Sequence, residues 1–457
     1  MLFINLQLKQ TNLFIFTFFI LCQYLPLINS QVIFLNTTES PKLWIDPPNL
    51  VEFRIGDKRA IWLIVYTNET AWSGQVIINC EWPKINCPLN ETECPIKYSV
   101  QLDKENEFAQ WININISGKF VGLNKIKVVA GKTEFFYRIR TSKTLIYSKL
   151  TNFLIPAFGI SIGIGNFLTG LQLNIGEDGL QPIPLLIIFL CQFIFKPLVG
   201  FGISKYLIIS HPYVTRLAFF LVSCLPVGAS QNGFWAILFN GNKNLIDAIA
   251  LVQRIGIIFF LPFWIYFVGK RSFFVERVNI GIFPLIYCLL LILIPFFFGI
   301  LMSKLGCQKL LLQKYSKYLK PFALSGTLIF ISLILITTWQ NFFLLSWDLL
   351  FYIGFVLPFT FHIFILILSK IFCLKVSSIK TVVVECGIQS SSASLFILLL
   401  SLGEPERDVA LIIPLATALF TDKLLLFFCF IRIIRRAILA LTKNKNIVIA
   451  SEMTTIK

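Results

Sequence analysis

Nine apolar segments, each longer than the ~18 residues that carry a helix across a bilayer, fill the last two thirds of this 457-residue chain. They run over residues 150–172, 183–204, 214–239, 246–268, 279–302, 322–341, 348–369, 381–402 and 409–431. Such segments enter lipid only as helices, because every unpaired backbone N–H or C=O in hydrocarbon costs several kcal/mol. The composition agrees, with 56% hydrophobic residues, 14% charged residues and a mean hydropathy of +0.78. The formal charge of +17 does not indicate nucleic acid, since Lys and Arg sit in short clusters between the apolar runs, where the positive-inside rule expects them. The implied partner is the lipid bilayer.

The first third reads differently. Lys9, an apolar run from Leu13 to Leu21, Pro26 and Ser30 predict a secretory signal peptide over residues 1–30, with a signal anchor as the alternative. Residues 31–147 follow as a separate domain. Val51 to Ile55, Ala60 to Tyr66, Trp111 to Ser117, Lys125 to Val129 and Glu134 to Arg140 alternate polar with β-branched or aromatic residues. That period of two predicts a small antiparallel β-sandwich. Four N-x-S/T sequons, at Asn36, Asn68, Asn90 and Asn115, predict a glycosylated domain outside the cytoplasm. Cys80, Cys87 and Cys94 predict one disulfide and one odd thiol, with the pairing open.

Nine spans from an outside start leave the C-terminus in the cytoplasm. Lys304 to Lys320, Lys370 to Lys380 and Arg432 to Lys445 then fall inside, while Glu404, Glu406 and Asp408 fall outside. Lys270, Arg271 and Arg277 run against this bias. The expected organisation is therefore a signal peptide at 1–30, an extracellular β-domain at 31–147, a transmembrane domain at 148–436 and a cytoplasmic tail at 437–457.

No nucleophile, base and orienter set is present, and His211 and His362 are isolated, so the chain is not expected to be an enzyme. Cys191, Cys224, Cys288, Cys386 and Cys429 fall in or beside apolar runs and give no metal spacing. What stands out is polar residues inside apolar spans, which are costly unless paired, hydrated or bound to a ligand. The second span places Gln192 and Lys196 one turn apart, with Pro197 next. Lys196 reads either as a snorkelling side chain or as a cation at a cation position. The third span carries Pro226-Val227-Gly228-Ala229-Ser230-Gln231-Asn232-Gly233, a composition that interrupts a helix and frees carbonyls. The eighth reads Glu385-Cys386-Gly387-Ile388-Gln389-Ser390-Ser391, a carboxylate, an amide and hydroxyls around a Gly. Two interrupted spans, one in each half, are the pattern of an inverted-repeat secondary transporter whose half-helix ends hold Na⁺. In the fourth span Asp247 and Arg254, seven apart, predict an internal ion pair. In the ninth, Asp422 and Lys423 are adjacent and cannot share a face.

Three of these stretches carry a resemblance. Leu190 to Phe201 is similar to the "LCQFxxxPLxGF" of the bile acid:sodium symporter family, Pro226 to Asn232 stands in the place of its "PGGTASN", and Glu385 to Gln389 matches its "ExGxQ". The resemblance spans roughly residues 150–435, and the signal peptide and ectodomain resemble the orphan branch of that family. It implies an all-α polytopic fold of about nine helices, with core and panel domains and two crossing broken helices, preceded by the all-β domain. It further implies a second sodium site from Gln192, Glu385, Gln389 and the carbonyls around Cys386 and Ile388. The first sodium site would use Gln231, Asn232 and Glu385, but Gln231 stands where the family has Ser, and Ile246 and Ala250 stand where hydroxyls are expected. Ser230, Asn232, Ser390 and Ser391 mark the crossover where substrate would bind.

The expected function is Na⁺-coupled transport of an amphipathic organic anion, a bile acid, sterol or steroid conjugate, by alternating access. The rival is a non-transporting receptor or scaffold acting through its ectodomain. An extracellular protein and a second copy of the chain complete the candidate partners.

Overall fold

A computed structural model describes residues 41–48, 50, 53–68, 71–80, 95–119, 121–176, 179–226, 235–274, 278–306, 329, 331–332, 335–336, 345–421 and 425–435. The signal peptide, Asn36, Asn90, Cys87, Cys94, Ser230, Gln231, Asn232, most of the sixth apolar segment, Asp422, Lys423 and the tail lie outside the described residues.

Seven strands build the first domain: β1 Lys42–Asp46, β2 Lys58–Tyr66, β3 Trp72–Cys80, β4 Ile96–Leu102, β5 Ala109–Ser117, β6 Gly122–Ala130 and β7 Thr133–Thr141. They form two antiparallel sheets, ordered β1-β2-β5 and β4-β3-β6-β7. Alternation turns Ile61, Leu63, Val65, Ile112, Ile114 and Ile116 of one sheet inward. They share one core with Val76, Ile78, Ile126, Val128, Tyr137 and Ile139 of the other. Four of the five anticipated runs lie within β2, β5, β6 and β7. The fifth, Val51 to Ile55, is no strand in its described part: Arg54 makes a lone bridge to Ser142 and the chain turns at Ile55. β1, β3 and β4 were not anticipated. β1 is only five residues long, whereas β4 alternates apolar with polar residues along all of Ile96–Leu102, a signal present in the sequence.

The helices are α1 Leu145–Gln172, α2 Pro182–Leu207, α3 Tyr213–Cys224, α4 Lys243–Ser272, α5 Ile282–Lys304, α6 Trp347–Ile371, α7 Val376–Gly387, α8 Ser391–Ser401 and α9 Glu406–Phe420. Helical residues resume at 425–435. Among the described residues seven helices are long and apolar enough to cross a membrane, counting α7 with α8 as one and α9 with its continuation as another. The third expected span appears as the shorter α3. The structure thus supports a multi-pass helical domain behind a β-domain.

Only Ser142, Lys143 and Thr144 separate β7 from α1. At this joint Lys143 Nζ lies 3.0 Å from Asp408 Oδ1, 2.7 Å from Thr151 Oγ1 and 3.8 Å from a Glu404 oxygen. Arg140 pairs with Glu406, and Arg407 donates to Asn152 and Glu404. The acidic stretch read as a loop is therefore a buried ionic joint between the β-domain and the first turn of α9.

α1 packs along α5 so closely that a Cβ on Gly170 would stand 2.0 Å from Phe296 O, and one on Gly299 2.3 Å from Phe167 O. Small residues are what let membrane helices approach backbone to backbone. α9 packs on α3 and α8, and α6 on α7.

Candidate cation and substrate site

Pro197 sets the geometry of α2. Lacking an N–H, it cannot bond the carbonyl four residues earlier, and the preceding turn, Cys191–Phe195, widens into a π-helix closed by the Lys196 N–H on Cys191 O. The carbonyl that Pro197 leaves free, Phe193 O, instead accepts from Trp264 Nε1 of α4 at 2.7 Å. Single π turns of this kind gather at functional sites. This one turns Gln192 and Lys196 toward the protein, each fully buried.

Two helix ends meet there. α3 stops at Cys224, and Leu225 is extended, with φ −87° and ψ 133°. α7 stops at Gly387, Ile388 is extended with φ −85° and ψ 150°, and α8 begins at Ser391. Each interruption frees a carbonyl. Gln192 Nε2 donates to Leu225 O at 3.0 Å, which turns its Oε1 toward Lys196. Lys196 Nζ donates to that Oε1 at 3.2 Å and to Ile388 O at 3.2 Å. The Gln192–Lys196 pair therefore joins the carbonyl of one interrupted span to that of the other.

The Lys196 ammonium also lies 5.3 Å from the centre of the Phe361 ring, within the range of a cation–π contact. The ionisable groups around it are Glu385 and Cys386 of α7, Cys191 of its own helix and His362 of α6. Glu385 acts on Arg254 of α4 as well. The snorkelling reading of Lys196 is thus overturned: it lies wholly inside the protein.

Of the other expected site residues, Glu385, Cys386, Ile388, Gln389, Ser390 and Ser391 are described and all are buried. Glu385 and Gln389 are both 2% exposed. Among the described residues neither the nitrogen nor the oxygen of the Gln389 amide has a hydrogen-bond partner. Ser390 and Ser391 are buried at the start of α8, where Ser394 Oγ bonds both their carbonyls. The Cys386 thiol touches that of Cys191 at 2.7 Å. Gly387 lies against His362, whose ring a Cβ there would meet at 1.9 Å.

One expected pair does not form. Asp247 accepts from the backbone N–H of Asn174 at 3.1 Å, near the start of α4. Arg254 lies two turns deeper, buried under the Phe296 ring at 5.8 Å and within the field of Glu385. Seven residues put both side chains on one face but also ~10.5 Å apart along the axis.

A sodium ion at the second position needs oxygens with free lone pairs. Two of the expected donors, Gln192 Oε1 and Ile388 O, already face an ammonium. A second monocation ~4 Å from it would meet a repulsion of about 4 kcal/mol at an effective dielectric of ~20. With Lys196 in place the donor set does not fit Na⁺. Phe361 and Leu225 complete the surroundings of this centre and were not singled out in sequence, whereas Arg254 was, as the partner of Asp247. A Lys beside a Pro inside an apolar span was the available signal.

Fold and site together define a multi-pass helical membrane protein in which two interrupted spans end on the polar turn of a third. Residues 174–345 match the family model described as Sodium Bile acid symporter family, the family that the motifs resemble. This stretch holds α2 to α5, whereas Glu385 to Gln389 lie beyond it. The chain is 24% identical over 241 residues to Sodium/bile acid cotransporter 5 of Mus musculus, covering 52% of this chain and 54% of the relative. It is 27% identical over 242 residues to P3 protein of Homo sapiens, covering 52% and 49%, and 28% identical over 255 residues to P3 protein of Mus musculus, covering 54% and 51%. The chain spans about half the length of the curated relatives it matches.

Proposed function

We propose that this protein is a secondary transporter that carries an amphipathic organic anion by alternating access, driven by the sodium gradient. The observation that carries this reading is the meeting of two span ends, at Leu225 and Ile388, on the buried Gln192–Lys196 turn. Buried, paired polar groups at a helix break supply a polar centre inside an apolar bundle, which is what a solute path requires. The mouse relative, by its name a sodium/bile acid cotransporter, supports a sterol-like anion as substrate. Gln389, buried and with its amide unbonded among the described residues, offers a donor and an acceptor to a solute group. In this reading Na⁺ binds at the first position, where Gln231 and Asn232 offer oxygens with Glu385. The N-terminal domain faces outward, consistent with exposed sequon residues Asn68 and Asn115.

The test is counterflow in proteoliposomes holding the full chain, preloaded with unlabelled taurocholate and presented with labelled taurocholate and Na⁺. Transient accumulation that Gln389→Ala abolishes supports the carrier. Wild-type uptake equal to that of protein-free liposomes, for taurocholate and for a panel of steroid sulfates, counts against it.

A further inference from the structure

We propose that Lys196 is the resident cation of the second cation position, its ammonium standing where a coupling sodium would otherwise link the two interrupted spans. The inference refines the transporter reading and rests on it only for the word coupling.

Four observations converge. The ammonium is fully buried and takes one oxygen from its own helix and one carbonyl from the α7–α8 break. Gln192 is held in the orientation that offers Oε1, because its amide nitrogen is committed to Leu225 O. The Phe361 ring supplies a third, apolar face suited to an organic cation. Glu385, itself buried in the last turn of α7, is the acidic residue whose charge acts on Lys196. A hard monovalent ion and an ammonium seek the same oxygens, and here the ammonium is tethered, so it cannot leave during a cycle. Sodium is accordingly not bound at this position, and the link that Lys196 makes between the breaks is permanent.

The experiment follows thermal unfolding of the purified full chain in NaCl against choline chloride, for wild type, Gln389→Ala, Lys196→Met and the double variant. A ligand that binds only the folded state raises the apparent Tm. The expected result is that any Na⁺-dependent shift of wild type is unaltered by Gln389→Ala. Lys196→Met gains an additional shift, which Gln389→Ala removes. A wild-type shift that vanishes in Gln389→Ala, with Lys196 present, overturns the proposal, and this comparison stands even if Lys196→Met fails to fold. Taurocholate counterflow on the same preparations separates the two readings. The expected sodium pattern without counterflow refutes the transporter and keeps Lys196, whereas counterflow with a Gln389-dependent sodium shift refutes Lys196 alone.

Discussion

Lys143, two residues before α1, and Asp408, in the first turn of α9, form an ion pair at 3.0 Å with side chains 2% and 0% exposed. The pair ties the end of the β-domain to a membrane helix 265 residues further on. Removing one member of a buried pair strands the other charge, at about 3–5 kcal/mol, whereas replacing both by apolar residues is often neutral. Lys143→Met is therefore expected to lower the unfolding midpoint of the full chain sharply, and Lys143→Met with Asp408→Leu to recover most of the loss. Equal losses in the single and double variants would show that the pair does not couple.

At the break, Gly387→Ala must push a methyl into the His362 ring. Overpacking of this kind costs about 1–3 kcal/mol. Pairing it with His362→Ala should restore part of the midpoint. Gly165→Ala, whose Cβ would meet nothing within 4 Å, should leave it unchanged.

Gln192 and Gln389 should behave oppositely. Gln192→Leu removes the acceptor of Lys196 and the donor to Leu225 O, and each buried group left unsatisfied costs about 1–3 kcal/mol. Gln389→Leu breaks no bond among the described residues, so it should keep the wild-type midpoint while losing counterflow. A large destabilisation by Gln389→Leu would contradict this division.

Tyr137 in the β-domain donates to Pro47 O at 2.8 Å. Burial, aided by the negative charge of Asp46, pushes its phenol up to about 12 from the usual 10.0. The sign follows from linkage: the folded state holds the proton more tightly, so this contribution to stability is complete below pH ~10 and is lost as pH rises towards ~12. Wild type should lose midpoint across that window, and Tyr137→Phe should lose less. Parallel curves would contradict the assignment.

Much of this was legible in the sequence because the bilayer imposes length and apolarity on every span, and a sheet with one wet face imposes alternation. Thus β2, β5, β6 and β7 coincide with the alternating runs, and Gln192 and Lys196 share a face as their spacing requires. What sequence could not supply was depth and destination. Asp247 and Arg254 share a face, yet their partners, Asn174 and the field of Glu385, lie at different levels of the helix. Lys196 reaches a carbonyl 192 residues away, and no local pattern encodes that. Glu404, Glu406 and Asp408 read as solvated loop charges because nothing near them in sequence announces Arg140 and Lys143.

That the two interrupted spans are joined by a cation, and that this cation is Lys196, is tested most directly by equilibrium binding of ²²Na⁺ to the purified full chain, for wild type and Lys196→Met. Lys196→Met is expected to bind one more ion per chain than wild type, and Gln389→Ala to remove the added ion. Equal binding by both proteins, with wild type losing an ion on Gln389→Ala, would contradict the assignment of Lys196 to the cation position.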